Sequence, residues 1–164
     1  MSRIIPAAVF ALGLFAASAA ADAKYVKLVN GESGKVLAIK DNSEEPGAKV
    51  VLAKDDGSES QQWKIVKDGD HYKIVHRKSG KVLDVEREST EEGGAIIIWE
   101  DKAENNDNQR WQWEGEGKKR RLKSKSSGLV LDVGEEGAIV QRKVADNAKD
   151  QLWEVVEVKG KSPR

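Results

Sequence analysis

One short pattern recurs three times in this chain and restricts its fold more than any other feature. Ser33-Gly34-Lys35-Val36-Leu37, Ser79-Gly80-Lys81-Val82-Leu83 and Ser127-Gly128-Leu129-Val130-Leu131 each precede a Gln-x-Trp, at Gln61 to Trp63, Gln109 to Trp111 and Gln151 to Trp153. Between them Gly47-Ala48, Gly94-Ala95 and Gly137-Ala138 each open an apolar run after acidic residues. Three landmarks in one order, three times, require an internal structural repeat. Counting from the repeat glycine, Leu28, Ile74 and Leu122 lie six positions before it. Leu37 and Ile39, Leu83 and Val85, and Leu131 and Val133 lie three and five positions after it. That period of two is the signature of half-buried strands. Third strands are expected over 48–53, 95–99 and 138–142, and fourth strands from each Gln-x-Trp. Asn30-Gly31, Asp56-Gly57, Asp68-Gly69, Gly93-Gly94 and Gly115 to Gly117 supply tight turns. The expected fold is all-β, with twelve short strands in three repeats.

The first residues stand apart from this pattern. Arg3, the apolar stretch from Ile4 to Ala17 and the small residues that follow form the profile of a secretory signal peptide over residues 1–21. Cleavage is expected after Ala19, Ala21 or Ala23. The apolar stretch is shorter than the roughly 20 residues a membrane span needs, so no stable membrane insertion is expected. Cysteine is absent, which removes disulfide stapling and lets the hydrophobic core carry the fold. A secreted or periplasmic protein is the reading. Basic and acidic residues number 28 each, and the one dense basic cluster, Lys118 to Arg121, reads as a solvated strand start, so no nucleic-acid partner is expected.

Both phenylalanines fall in the leader, so tryptophan dominates the aromatic surface of the remainder. Trp63, Trp111 and Trp153 occupy equivalent positions and are expected in the core, each indole N–H needing an acceptor. Trp113 matches Ile65 and Val155 and is expected there too. Trp99 differs, because counting from the turn glycines gives Leu52 and Arg142 as its equivalents, and packing demands no indole at that position.

The threefold Gln-x-Trp, with Leu-Asp-Val ahead of it, resembles the ricin B-type lectin domain, a β-trefoil carbohydrate-binding family. The resemblance covers residues 24–158 and leaves 159–164 as a polar C-terminal tail. It implies up to three shallow sugar pockets, one per repeat, each with an Asp in the Leu-Asp-Val strand, a polar residue in the third strand, an aromatic platform and an Asn-Gln pair. Repeat two matches with Asp84, Trp99, Asn108 and Gln109, and departs at Ile97, where the polar residue belongs. A carboxylate accepts from neighbouring hydroxyls, an amide donates and accepts, and a flat ring covers the apolar face of a hexose. Repeat one carries Ala38, Leu52 and Ser60 at these places and reads as a dead pocket. Repeat three keeps Asp132 but has Val140, Arg142 and Asp150, either an ion-pair network or a weaker site for a charged sugar.

Other chemistry finds little support. Glu44-Glu45, Glu91-Glu92 and Glu135-Glu136 recur by symmetry before the turn glycines and read as turn surface rather than as a catalytic pair. His71 and His76 come without further ligands at metal spacing, and Asp101 to Asp107 lacks the glycine and closing Glu of a helix-loop-helix calcium site. No enzyme activity, metal or cofactor is expected. The partner is a carbohydrate or glycoconjugate. The competing reading is a non-enzymatic trefoil that has lost sugar binding and uses its loops for protein recognition or inhibition.

Overall fold

In the computed structural model, residues 24–159 are described. The leader expected over 1–21 and all but the first residue of the expected tail lie outside them. Twelve strands are present: β1 Val26–Asn30, β2 Val36–Ile39, β3 Val50–Ala53, β4 Trp63–Asp68, β5 His71–His76, β6 Val82–Val85, β7 Ile96–Trp99, β8 Trp111–Glu114, β9 Lys119–Ser124, β10 Val130–Val133, β11 Ile139–Arg142 and β12 Trp153–Glu157. β1, β4, β5, β8, β9 and β12 pair antiparallel in a closed ring, because β12 returns to β1. The hairpins β2–β3, β6–β7 and β10–β11 hang from β1, β5 and β9. Single bridges, Lys49 to Ile97, Val51 to Ala138 and Ala95 to Val140, join the hairpins around the threefold axis. This is a β-trefoil, a six-stranded barrel capped by three hairpins.

The repeated residues explain how it is built. In each Ser-Gly motif the glycine has a left-handed φ, near 70° at Gly34, Gly80 and Gly128. Its N–H donates to the carbonyl of Asn30, His76 or Ser124, four residues earlier. The serine hydroxyl accepts from the N–H two residues on, at Lys35, Lys81 and Leu129. A side chain that mimics a backbone turn thus sets the bend before each hairpin.

The core expectations hold for Trp63, Trp111 and Trp153, which are fully buried. Their Nε1–H groups donate to the carbonyls of Leu37, Leu83 and Leu131 at 3.1, 3.1 and 3.3 Å. The Gln-x-Trp glutamines are equally regular. Gln61, Gln109 and Gln151 donate to the carbonyls of Lys54, Glu100 and Lys143, and accept from the N–H groups of Asp56, Lys102 and Ala145. Each motif therefore clamps the loop after a third strand with its amide and fills the core with its indole. Trp113 is only partly buried, packing on the core while the Arg120 guanidinium stacks over its ring. His76 is a buried brace, its ring nitrogens facing the Ser79 hydroxyl and the Ser60 carbonyl.

Two equivalences drawn from the sequence are corrected by the sheet register. Leu37 faces Leu52 and Leu83 faces Ile98, so the counterpart of Trp99 in repeat one is Ala53, not Leu52. In the Gly93-Gly94 pair it is Gly93 that matches Gly47, with φ of 82° and 86°. Gly137 is not the same turn at all. It ends the 3-10 turn Glu135–Gly137, which corresponds to Lys40–Asn42 and Glu86–Glu88, and runs directly into Ala138. Residues 43–48 and 89–94 have no counterpart in repeat three.

Candidate functional site

Leu83-Asp84-Val85 is central in its hairpin, with Leu83 and Val85 turned into the core. Asp84 faces Ile97 across the hairpin, and Trp99 lies two residues further along β7, on the same face. The 3-10 turn Asp107–Gln109 brings Asn108 and Gln109 against them. Asp84, Ile97, Trp99 and Asn108 open onto a cleft of about 390 Å³, lined as well by Gly47, Glu86, Arg87, Glu88 and Lys102.

Within it the polar network is ordered by what each atom can donate. Asn108 Nδ2 donates to Asp84 Oδ1 at 3.0 Å and to the Val85 carbonyl at 3.1 Å. Gln109 Nε2 donates to Asp84 Oδ2 at 2.7 Å. Two acceptors facing the Asn108 amide nitrogen fix its orientation, which leaves Asn108 Oδ1 buried without a hydrogen-bond partner among the described residues. Asp84 is 3% exposed and retains further lone pairs. Beneath the cleft floor therefore lie two acceptors with capacity to spare, the Asp84 carboxylate and Asn108 Oδ1, both buried, and Ile97 adds no donor. A ligand that presents two adjacent donors meets this arrangement. Trp99, 42% exposed, is one of two large apolar side chains in the open among the described residues. Glu86 and Glu88 are paired with Lys49 and Lys102, both at 2.6 Å.

Burial pushes the Asp84 carboxyl up to about 6, against the opposing pull of Gln109, Lys102 and Asn108. Its ordinary value is 3.8, so the folded state takes up this proton more readily than the unfolded chain. Protonation of Asp84 thus favours the fold as pH falls through about 6 toward 3.8. Burial acts in the other direction on His76, holding its imidazole below 6.5; that contribution is present above 6.5 and lost as pH falls through the depressed value.

Of the residues expected from the sequence, Asp84, Trp99 and Asn108 line one cleft. Gln109 lies behind it, fully buried, with its amide spent on Asp84 and the loop. In repeat three Asp132 accepts from Gln151 at 3.0 Å and from its neighbour Val133 at 2.7 Å. Arg142 closes over it, 3.7 Å from Asp132 Oδ2 and bonded to the Val133 carbonyl. Asp150 is exposed, and among the described residues no hydrogen bond or ion pair joins its carboxylate to that pair. In repeat one Ala38 is buried and Ser60 bonds Asn42. The sequence reading missed Glu86, Arg87, Glu88 and Lys102, although the first three directly follow Leu-Asp-Val. It also missed Gly47, which comes from another repeat. The Asp101 to Asp107 segment is tied up in ion pairs, Asp101 with Lys73 and Arg110, and Asp107 with Lys125.

The model of the ricin-type beta-trefoil lectin domain-like family matches residues 13–99 and 105–162. The chain belongs to this family. Among solved structures, this lectin-like trefoil is similar to a designed threefold-symmetric protein, ThreeFoil, with 33% identity, 82% of this chain and 99% of that one covered, and a TM-score of 0.76. It is also similar to part of an exo-beta-1,3-galactanase from Clostridium thermocellum, with 38% identity over 84% of this chain and a TM-score of 0.77, and spans 31% of that enzyme's length. A Polyporus squamosus lectin bound to a human-type influenza-binding epitope shares the fold, at 23% identity over 80% of this chain and 48% of that one, with a TM-score of 0.69. No curated protein matches the chain.

Proposed function

We propose that this lectin-like trefoil binds carbohydrate through the repeat-two cleft, as an exported, non-enzymatic module. The observation that carries the reading is the pair of buried acceptors, Asp84 and the unpartnered Asn108 Oδ1, beneath an exposed indole. Two adjacent sugar hydroxyls supply a donor to Asn108 Oδ1 and a further one to the spare lone pairs of Asp84, and Trp99 covers the apolar C–H face of the ring. Export is supported by the leader profile, a short basic start, an apolar stretch and a small-residue end. N-terminal sequencing of the secreted or periplasmic product tests it, with a mature start after residue 19, 21 or 23 expected and an intact Met1 against it. Binding without turnover is supported by the state of the cleft carboxylates, since Asp84 is locked by two amides and Glu86 and Glu88 by lysines.

A glycan panel tests the binding itself, with β-1,3-linked galactans at its head because of the likeness to part of a galactanase. Wild type is expected to capture at least one glycan, and Asp84→Ala to weaken that capture about ten- to a hundredfold by removing a charged acceptor. Capture that Asp84→Ala leaves unchanged contradicts the assignment. Binding is also expected to depend on pH. Hydroxyls that donate to the ionised carboxylate favour it over the protonated form, so affinity falls as pH drops below about 6. Titrations from about pH 8 to about pH 5, with thermal melts alongside, check this. Asp84→Asn is expected to flatten the profile, and a wild-type affinity that holds constant down to pH 5 or so argues against a role for the carboxylate.

A further inference from the structure

We propose that a working pocket in this trefoil straddles two consecutive repeats, and that the turn 43–48 of repeat one, through Gly47, forms a wall of the repeat-two cleft. The proposal rests on the carbohydrate reading of that cleft. Gly47 lines the cleft although every other lining residue belongs to repeat two. Its N–H donates to the Ile98 carbonyl at 2.8 Å, and the Ile98 N–H donates to the Ala48 carbonyl at 3.0 Å. The turn is strapped to β7 at the residue before Trp99. A Cβ at Gly47 stands 3.5 Å from Trp99 Cζ3, and the φ of 86° strains any L side chain placed there. Bare backbone thus runs along the edge of the indole, and a side chain at this point would touch the platform at ordinary contact distance while straining the turn that holds the backbone there.

The strap recurs once more. Gly93 donates to the Gln141 carbonyl at 2.8 Å and Gln141 donates to the Gly94 carbonyl at 3.0 Å, so the turn 89–94 stands beside Arg142 of repeat three. Repeat three has no six-residue turn to offer repeat one, because Gly137 runs straight into Ala138, which bridges Val51 as Lys49 bridges Ile97 and Ala95 bridges Val140. Passing around the axis, the turn of repeat one walls pocket two and that of repeat two walls pocket three, whereas beside repeat one stands only the short turn ending at Gly137, whose Cβ position is 3.5 Å from the Leu52 carbonyl oxygen. The asymmetry has a consequence that side chains alone do not give. Repeat three has the long turn beside it and departs from repeat two at Arg142 and Asp150, whereas repeat one lacks the long turn even when its side chains are restored.

The test is calorimetric titration of the full chain with β-1,3-galactobiose first, then with the saccharide that wild type captures best on the panel. Arg142→Trp with Asp150→Asn is expected to raise the number of sites from one to two. Ala38→Asp with Ala53→Trp and Ser60→Asn is expected to leave one, and to reach two only when a copy of residues 89–94 is also inserted between Gly137 and Ala138. Gly47→Ala, which disturbs the wall without burying a new charge, is expected to weaken wild-type binding about tenfold. Thermal melts identify the folded variants. A second site in the repeat-one graft without the insertion, a single site in a folded repeat-three graft, or a Gly47→Ala affinity equal to wild type overturns the proposal while leaving the repeat-two reading in place. A wild type that binds no saccharide of the panel overturns both.

Discussion

Replacing Trp111 with alanine is expected to cost the fold about 3 to 5 kcal/mol, a loss of roughly 10 to 20 °C in melting temperature. The indole is fully buried at the junction of three barrel strands, with Trp111 facing Tyr72 on β5 and Ser124 on β9. Truncation opens a cavity that neighbouring strands, held by ladder hydrogen bonds on both sides, close only in part. It also strips the Leu83 carbonyl of the indole donor it has at 3.1 Å. Trp63→Ala and Trp153→Ala are expected to fall in the same range, because burial and hydrogen bond repeat. Below its lowered melting point the Trp111→Ala protein should keep its sugar affinity to within a few fold. A drop in affinity without a drop in stability would place Trp111 in the binding site instead.

Trp99→Ala should do the reverse. The side chain is 42% exposed, and its counterparts Ala53 and Arg142 show that the hairpin forms without an indole there. The expected change in stability is therefore within about 0.5 kcal/mol. Binding loses the apolar platform, about 1.5 to 3 kcal/mol for a ring face removed from water, which is roughly ten- to a hundredfold in affinity. A single shallow cleft has no second site to compensate through avidity, so the loss should appear in full. The intrinsic fluorescence of the variant should no longer respond to saccharide, and a response that persists unchanged would assign the signal, and the platform, to another tryptophan.

How far the sequence carried this reading depended on what kind of information each feature needs. The core tryptophans were legible because residue identity recurs at one place in each repeat and large apolar side chains have one stable destination. The strands were legible through their period of two. The turn alignment was not, because Gly93-Gly94 offers two glycines for one position and identity gives no reason to prefer the first. In a strand a slip of one residue moves every side chain to the opposite face, so the platform position was read as Leu52 when the pocket-facing residue is Ala53. Gly137 misled in another way, since a glycine-alanine pair survives at the boundary of a shortened turn and imitates the landmark it has lost. Asp84, Asn108 and Trp99 could be brought together from the family pattern. The bracing of Asp84 by Gln109, the orphaned Asn108 oxygen and the approach of Gly47 depend on which turn faces which hairpin, and that relation is tertiary.

The direct measurement is a calorimetric titration of wild type, Asp84→Ala, Trp99→Ala and Asp132→Ala with the glycan that wild type captures on the panel, each protein also melted to establish that it is folded. Binding through repeat two predicts one site in wild type, a ten- to hundredfold loss or more in Asp84→Ala and Trp99→Ala, and an affinity in Asp132→Ala equal to wild type. Binding that survives Asp84→Ala and Trp99→Ala but disappears with Asp132→Ala contradicts the account and moves the site to the arginine-capped third pocket.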